Sequence, residues 1–339
     1  MDRYSLVYKG MPPNHCCCDQ CLRILPNGEW VVIFMTGGAG EPERENHIRI
    51  CRSADEGRTW SAAEVVKQFP DRACLLSECY LHGERLVLFM QTHAGFFDDW
   101  RVFTIHSDDG GRIWSEPEVF QPAPRRAFIR NLYVASWGEW YLPLQSYDNV
   151  EGPAASPLRD GSFRSPFNAV LISDDEGASW TQSGLVQPAN AWAENNVVEL
   201  RDGRLTMLVR FDGAGCLMRS DSHDRGRTWS EATHTDIPNP GSKFRLHRLS
   251  DGRIALVHNA TNGKPRSVAR NCNVARNPLS LWISSDDMET WSYRRDLTDF
   301  PGMLAYPDGV VDEDERHIHF VFDYNRHDVI YWGAELPPA

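Results

Sequence analysis

The chain has no stretch approaching the roughly 18 consecutive apolar residues that a membrane-crossing helix needs. Its 339 residues run instead as short apolar segments broken by Gly, Pro, Asn and Asp, so no membrane partner is expected. A basic excess is missing too. Lys and Arg total 35 against 47 Asp and Glu, a formal net charge of -12, which argues against a nucleic-acid partner. An anionic substrate is not excluded by that balance, because a local arginine cluster can dominate the potential inside a cleft. A disulfide framework is also absent from the pattern. The nine Cys are odd in number and four crowd into Cys16-Cys17-Cys18 and Cys21, a poor arrangement for pairing. The start, Met1-Asp2-Arg3-Tyr4, shows no basic segment leading into an apolar one, so a reduced, cytoplasmic protein is the expectation. Neighbouring strand residues point to opposite faces, so zinc at the cysteine cluster would need ligands from elsewhere. Small buried thiols packing a strand are the simpler reading. No metal or cofactor motif is present, and no cofactor is expected.

What the chain does contain is a globular composition, 41% hydrophobic and 24% charged, with 12 Trp. Five of those Trp close a repeated pattern, Ser-x-Asp-x-Gly-x-Thr-Trp. It is complete at Ser53 to Trp60 and at Ser222 to Trp229. Ser107 to Trp114 puts Ile113 in place of Thr, Ser173 to Trp180 puts Ser179 there, and Ser284 to Trp291 carries Met288 where Gly stands elsewhere. The residue types describe a hairpin turn. The Asp carboxylate accepts backbone amides ahead of it, and Gly admits positive φ. The Trp then offers a large plate to the next sheet.

About 50 to 65 residues separate the copies, enough for four short strands per repeat. Turn signals precede β-rich runs at Trp30 to Phe34, Leu205 to Val209 and Ile254 to Val257, and no long 3.6-residue period competes with them. The expected fold is all-β, a six-bladed β-propeller formed by residues 1-339 as one domain. Its sixth blade would come from residues 300 to 335, including strand-like His317 to Phe322, and be closed by the N-terminal strand. Residues 149 to 168, rich in Pro, Gly and Ser, read as a long loop within one blade.

The repeated turn resembles the Asp-box of sialidases, and further segments extend the resemblance over nearly the whole chain. Glu194 precedes Glu199-Leu200-Arg201-Asp202-Gly203, and Arg210 follows Glu194 by sixteen residues. Arg276 lies eight residues before Ser284, and Tyr306 follows the last turn within Ala305-Tyr306-Pro307. The resemblance implies a tyrosine nucleophile at Tyr306, assisted by Glu194, with Arg210 and Arg276 as anion or hydroxyl clamps. It also implies that the Asp residues of the turns are structural. The chemistry is coherent, since a guanidinium grips a carboxylate by a directional fork. A tyrosine with an ordinary pKa of about 10 needs a base before it can attack.

One departure is plain. Where sialidases carry an arginine in Arg-Ile-Pro, Cys18 stands; Arg23-Ile24-Leu25-Pro26 lies five positions further on, at the opposite strand parity. His15, Glu45 and His47 are the titratable candidates for the acid/base role. Arg130, Arg326, His93 and Trp192 are further candidates for the pocket wall. The implied activity is an exo-acting glycoside hydrolase on an acidic or deoxy sugar. A lyase or rhamnosidase-like enzyme using His15, and a carbohydrate-binding propeller without catalysis, stay open beside it.

Overall fold

The computed structural model describes residues 2–94, 99–147, 167–188, 193–263, 267–269, 272–273 and 275–338. They contain no helix, and their strands form six antiparallel sheets of a six-bladed β-propeller plus one two-stranded ribbon, Ser267–Ala269 with Cys272–Asn273.

Each blade begins with an inner strand. Blade one starts with Cys17–Ile24, blade two with Ala73–His82, blade three with Ala127–Ile129, blade four with Asn195–Glu199, blade five with Arg245–Arg248 and blade six with Leu304–Val311. The inner strand of blade one touches those of blades two and six, and the inner strand of blade five touches those of blades four and six. Blade six ends with His317–Tyr324, Asp328–Glu335 and, as its outer strand, Arg3–Lys9, which pairs antiparallel with Asp328–Glu335. The first and last strands of the described residues thus share a sheet, the arrangement that leaves a closed ring without a free sheet between its ends.

Apolar burial follows the same ring. Six apolar clusters fill the six blade-to-blade interfaces; Val32 and Phe34 of blade one, for example, pack against Val321, Val329 and Tyr331 of blade six. Middle strands therefore bury both faces, as Trp30–Thr36 does along its whole length, and they read as continuous apolar runs rather than alternating ones.

The repeated turns join the third strand to the fourth in blades one to five. In the first, Asp55 Oδ1 accepts the Thr59 amide at 2.8 Å and Oδ2 accepts the Thr59 hydroxyl at 2.6 Å, while Ser53 Oγ accepts the Gly57 amide at 2.8 Å. Those bonds hold the Asp55 carboxyl at about 2. The fifth turn keeps the same geometry without glycine. Met288 takes a φ of 66° and its amide reaches Ser284 Oγ at 2.8 Å, a left-handed conformation that is costly for a side chain of that size. Its burial at 7% exposure within the interface between blades four and five offsets that strain.

Most of the 149 to 168 segment lies outside the described residues; Phe167 and Asn168 already belong to a strand of blade three.

Candidate active site

The inner strand of blade six carries the central residue. Tyr306 sits at a φ of 60°, within a register shift between Ala305 and Asp308. A bulky residue in this region of backbone space costs about 1–3 kcal/mol and persists only where its surroundings hold it. Here Gln20, itself fully buried, donates from Nε2 to the Tyr306 carbonyl at 2.6 Å and to that of Ala305 at 3.2 Å. Gln20 lies in a matching irregularity of blade one between Cys18 and Cys21, where Asp19 has a φ of 48°. Two bulged inner strands thus lock together and aim the phenol.

Around that ring stand cations from several blades. Arg210, just past the second strand of blade four, brings Nη1 to 3.3 Å from the Tyr306 hydroxyl. The same Nη1 reaches both oxygens of Glu194, at 2.9 and 2.8 Å, and Asp212 takes the other edge of the guanidinium at 2.7 and 3.0 Å. Arg130 Nη2 stands 3.8 Å from Glu194 and its Nη1 is 3.7 Å from Asp19. The guanidinium centres of Arg276 and Arg326 lie 5.2 and 5.0 Å from the Tyr306 ring centroid. Arg276 donates to the Gly241 carbonyl at 2.8 Å, has no ion pair to a carboxylate among the described residues, and keeps a buried Nε without a partner there. Arg326 pairs with Glu41 and with Asp323, and Glu41 accepts the Cys18 thiol at 2.7 Å.

The electrostatics follow from this crowding. Burial alone would raise the Glu194 carboxyl, but Arg210 and Arg130 outweigh it and hold it at about 2. Burial pushes the Tyr306 phenol up, and the Glu194 charge adds to it, to about 12 against the pull of Arg210 and Arg276. Arg210 remains charged: burial works against its charge, and Asp212 and Glu194 more than restore it. Cys18, Asp19 and Glu41 offer ligand atoms within 4.8 Å of one another. The Arg326 and Arg130 guanidiniums already stand against two of these carboxylates, which opposes a metal cation there.

Of the residues singled out in the sequence, Tyr306, Glu194, Arg210, Arg276, Arg130 and Arg326 come together here. His15 sits on the rim, exposed, its ring 5.4 Å from that of His327. Glu45 is exposed and accepts His47 Nδ1 at its carbonyl, while His47 Nε2 meets Arg49 in the third strand of blade one. His93 is buried in blade two with its ring 4.9 Å from Trp100, and burial beside Arg72 and Arg126 lowers it to about 3. None of Glu45, His47 and His93 makes a described contact with Tyr306, Glu194 or Arg210. Trp192 falls outside the described residues.

Several members of the group carried no sequence signal. Asp212 lies two residues after Arg210, in the turn that follows the strand ending at Val209. Asp19, Cys18 and Glu41 arrive through a bulge and through the loop between the second and third strands of blade one.

The described geometry defines a six-bladed propeller with an arginine-lined mouth around a buried tyrosine. The pattern of the BNR repeat-like domain family matches residues 28–319, and the chain belongs to that family. Among curated proteins it is similar to a sialidase of Clostridium perfringens, 31% identical over 199 residues that make up 54% of this chain and 52% of that one. It is also similar to a sialidase of Micromonospora viridifaciens, 25% identical, covering 85% of this chain and 48% of the other. The chain thus spans about half the length of these curated relatives. Among solved structures, a Hadza microbial sialidase superposes with a TM-score of 0.74 at 16% identity, over 95% of this chain and 66% of that one, a likeness of fold.

Proposed function

We propose that the protein is a glycoside hydrolase of the sialidase type, acting at the end of a glycan on a sugar that bears a carboxylate. The observation that carries this reading is the shared Arg210 Nη1, which touches Glu194 and the Tyr306 hydroxyl at once, with the Arg276 guanidinium 5.2 Å from the ring and without an ion pair to a carboxylate among the described residues. Anion recognition and nucleophile control then fall on the same guanidinium. Relatives named as sialidases support the class of reaction.

In the unliganded arrangement, transfer of the Tyr306 proton to Glu194 runs strongly uphill, from a phenol at about 12 to a carboxylate at about 2. A substrate carboxylate changes that balance. It competes for Arg210 and Arg276, releases part of the hold on Glu194, and lets that carboxylate rise toward a useful base. Tyr306 Oη then attacks the anomeric carbon while the bond to the leaving oxygen breaks and that oxygen takes a proton. Water next attacks the tyrosyl glycoside, restoring the phenol with net retention. A neutral nucleophile suits an anomeric centre that already carries a carboxylate.

For the proton donor, Glu41 is the reading this geometry favours over His15, Glu45 and His47. Its carboxylate meets Cys18 and the Arg326 guanidinium that lies over Tyr306. Should Arg326 turn to the substrate anion, Glu41 loses its cationic partner and can hold a proton for delivery. The test is a panel of fluorogenic and natural glycosides with mass-spectrometric product readout, run on wild type and Tyr306→Phe. Release of a free acidic sugar by wild type, lost by at least 10²-fold in the variant, is expected. An unsaturated product, or binding with no product from any glycoside, would overturn it.

A further inference from the structure

One layer beneath the Tyr306 group, the propeller axis holds a second set of charges that the proposed reaction does not use. Arg23, on the inner strand of blade one, donates to Asp308 Oδ1 and Glu78 Oε1, both at 2.6 Å. Asn131 donates to the two remaining oxygens, Glu78 Oε2 at 2.9 Å and Asp308 Oδ2 at 2.7 Å. Glu78 and Asp308 are 1% and 0% exposed. Every oxygen of these two carboxylates thus has a donor.

Two cations are left over. Lys243 is 1% exposed and has no hydrogen bond or ion pair within 4 Å among the described residues. Arg245 approaches Asp308 only to 3.6 Å, and its Nε and Nη1 are buried without hydrogen-bond partners there. Lys243 lies two residues before Arg245, the first residue of the strand that opens blade five. Both act on the same carboxylate: burial would raise Asp308, and Arg23, Arg245 and Lys243 together hold it far below its ordinary range. His247 adds no charge, since burial and the neighbouring Arg245 lower it to about 3.

Three cations around two satisfied carboxylates leave one positive charge in excess, with unshared donors, where Lys243 is 1% exposed and the Arg245 side chain 12%. A buried charge in that state is expensive unless it is paired. A metal ion does not fit, although Cys21, Glu78 and Asp308 stand within 4.8 Å of one another, because their carboxylates are committed and the surrounding charge is positive. We propose that this axial layer binds a small monovalent inorganic anion, of the size and charge of chloride, held by Lys243 and Arg245. One negative charge neutralises the excess, and the burial of Lys243, Glu78 and Asp308 favours a small spherical ion over a polyatomic or organic one.

The test uses the full chain and sodium bromide. Crystals grown in bromide are expected to show an anomalous peak within hydrogen-bonding distance of Lys243 Nζ and the Arg245 guanidinium. In parallel, thermal unfolding is followed in sodium chloride and in sodium gluconate at equal ionic strength. Wild type is expected to melt at higher temperature in chloride, with a saturable rise, and Lys243→Met to lose that difference. If Lys243→Met does not fold, Arg245→Gln serves the melting arm, and the bromide peak in wild type stands alone. Equal melting in the two salts together with water and no bromide at the site would overturn the proposal.

Discussion

Replacing Glu194 by Gln removes one buried charge while keeping the shape of the side chain, and its effects can be worked out from the site. The carboxyl lies at about 2 in the folded protein against an ordinary 4.5, a difference that corresponds to roughly 3 kcal/mol of folding free energy. Because the folded value is depressed, this contribution is fully present above pH 4.5 and is lost as pH falls toward 2. The variant has no such group, so it is expected to be less stable than wild type by about 3 kcal/mol at neutral pH, and the gap should narrow as pH falls below 4.5 and close near pH 2. Unfolding entropy of about 2.1 cal/mol/K per residue over 339 residues makes that about 4 °C in melting temperature. A second readout moves the other way. Without the Glu194 charge, which helps push Tyr306 to about 12, the phenol should titrate lower, since Arg210 and Arg276 still pull it down. Thermal melts by tryptophan fluorescence between pH 3 and 7 measure the first effect, and tyrosine resonances from isotope-labelled protein measure the second. Parallel stability curves for the two proteins, or an unmoved Tyr306, would refute the argument that Arg210 and Arg130 hold Glu194 ionised.

Arg276→Ala removes a guanidinium with no ion pair among the described residues. It should change stability by less than about 1 kcal/mol while lowering kcat/KM on an acidic sugar by 10²-fold or more, measured by melting and steady-state kinetics. Arg23→Leu strands two buried carboxylates, Glu78 and Asp308, and should cost about 3–5 kcal/mol in chemical unfolding. Asp224→Ala deletes the acceptor for the Thr228 amide and hydroxyl in the fourth turn. A loss of about 1–2 kcal/mol, as for a helix cap, with turnover unchanged, is expected from paired melting and activity assays.

The architecture was written in the sequence because five of the six blades repeat a local device. An Asp two residues after a Ser and four before a Thr makes its own hydrogen bonds, whatever lies elsewhere in the chain. Glu194, Arg210, Arg276 and Tyr306 were singled out by the sialidase resemblance, counted from turns and strands of the same kind, and the fold brings them together. Arg23 was not. Counting alternate residues from Cys18 puts it on the wrong face, but the register shift between Cys18 and Cys21 resets the alternation, and Arg23 reaches Glu78 and Asp308. Strand parity set its Arg-Ile-Leu-Pro run aside from substrate binding; its surroundings make it the tie between blades one, two and six. Glu41 and Asp19 depended on how a loop and a bulge turn toward the axis, which no spacing rule encodes.

The outer strand of blade six comes from Arg3–Lys9, while its partner ends at Glu335. During synthesis Arg3–Lys9 therefore waits for Asp328–Glu335. It leaves the ribosome with its hydrogen-bonding edge unsatisfied and keeps it so for some three hundred further residues, about 15 to 60 s at ordinary elongation rates. Throughout that interval five blades can form while the ring stays open and an unpaired strand hangs from its beginning, available to any other chain with a bare edge. The moment of greatest risk for aggregation is thus set by the topology, and an elongation rate slowed near the C-terminus should lengthen it.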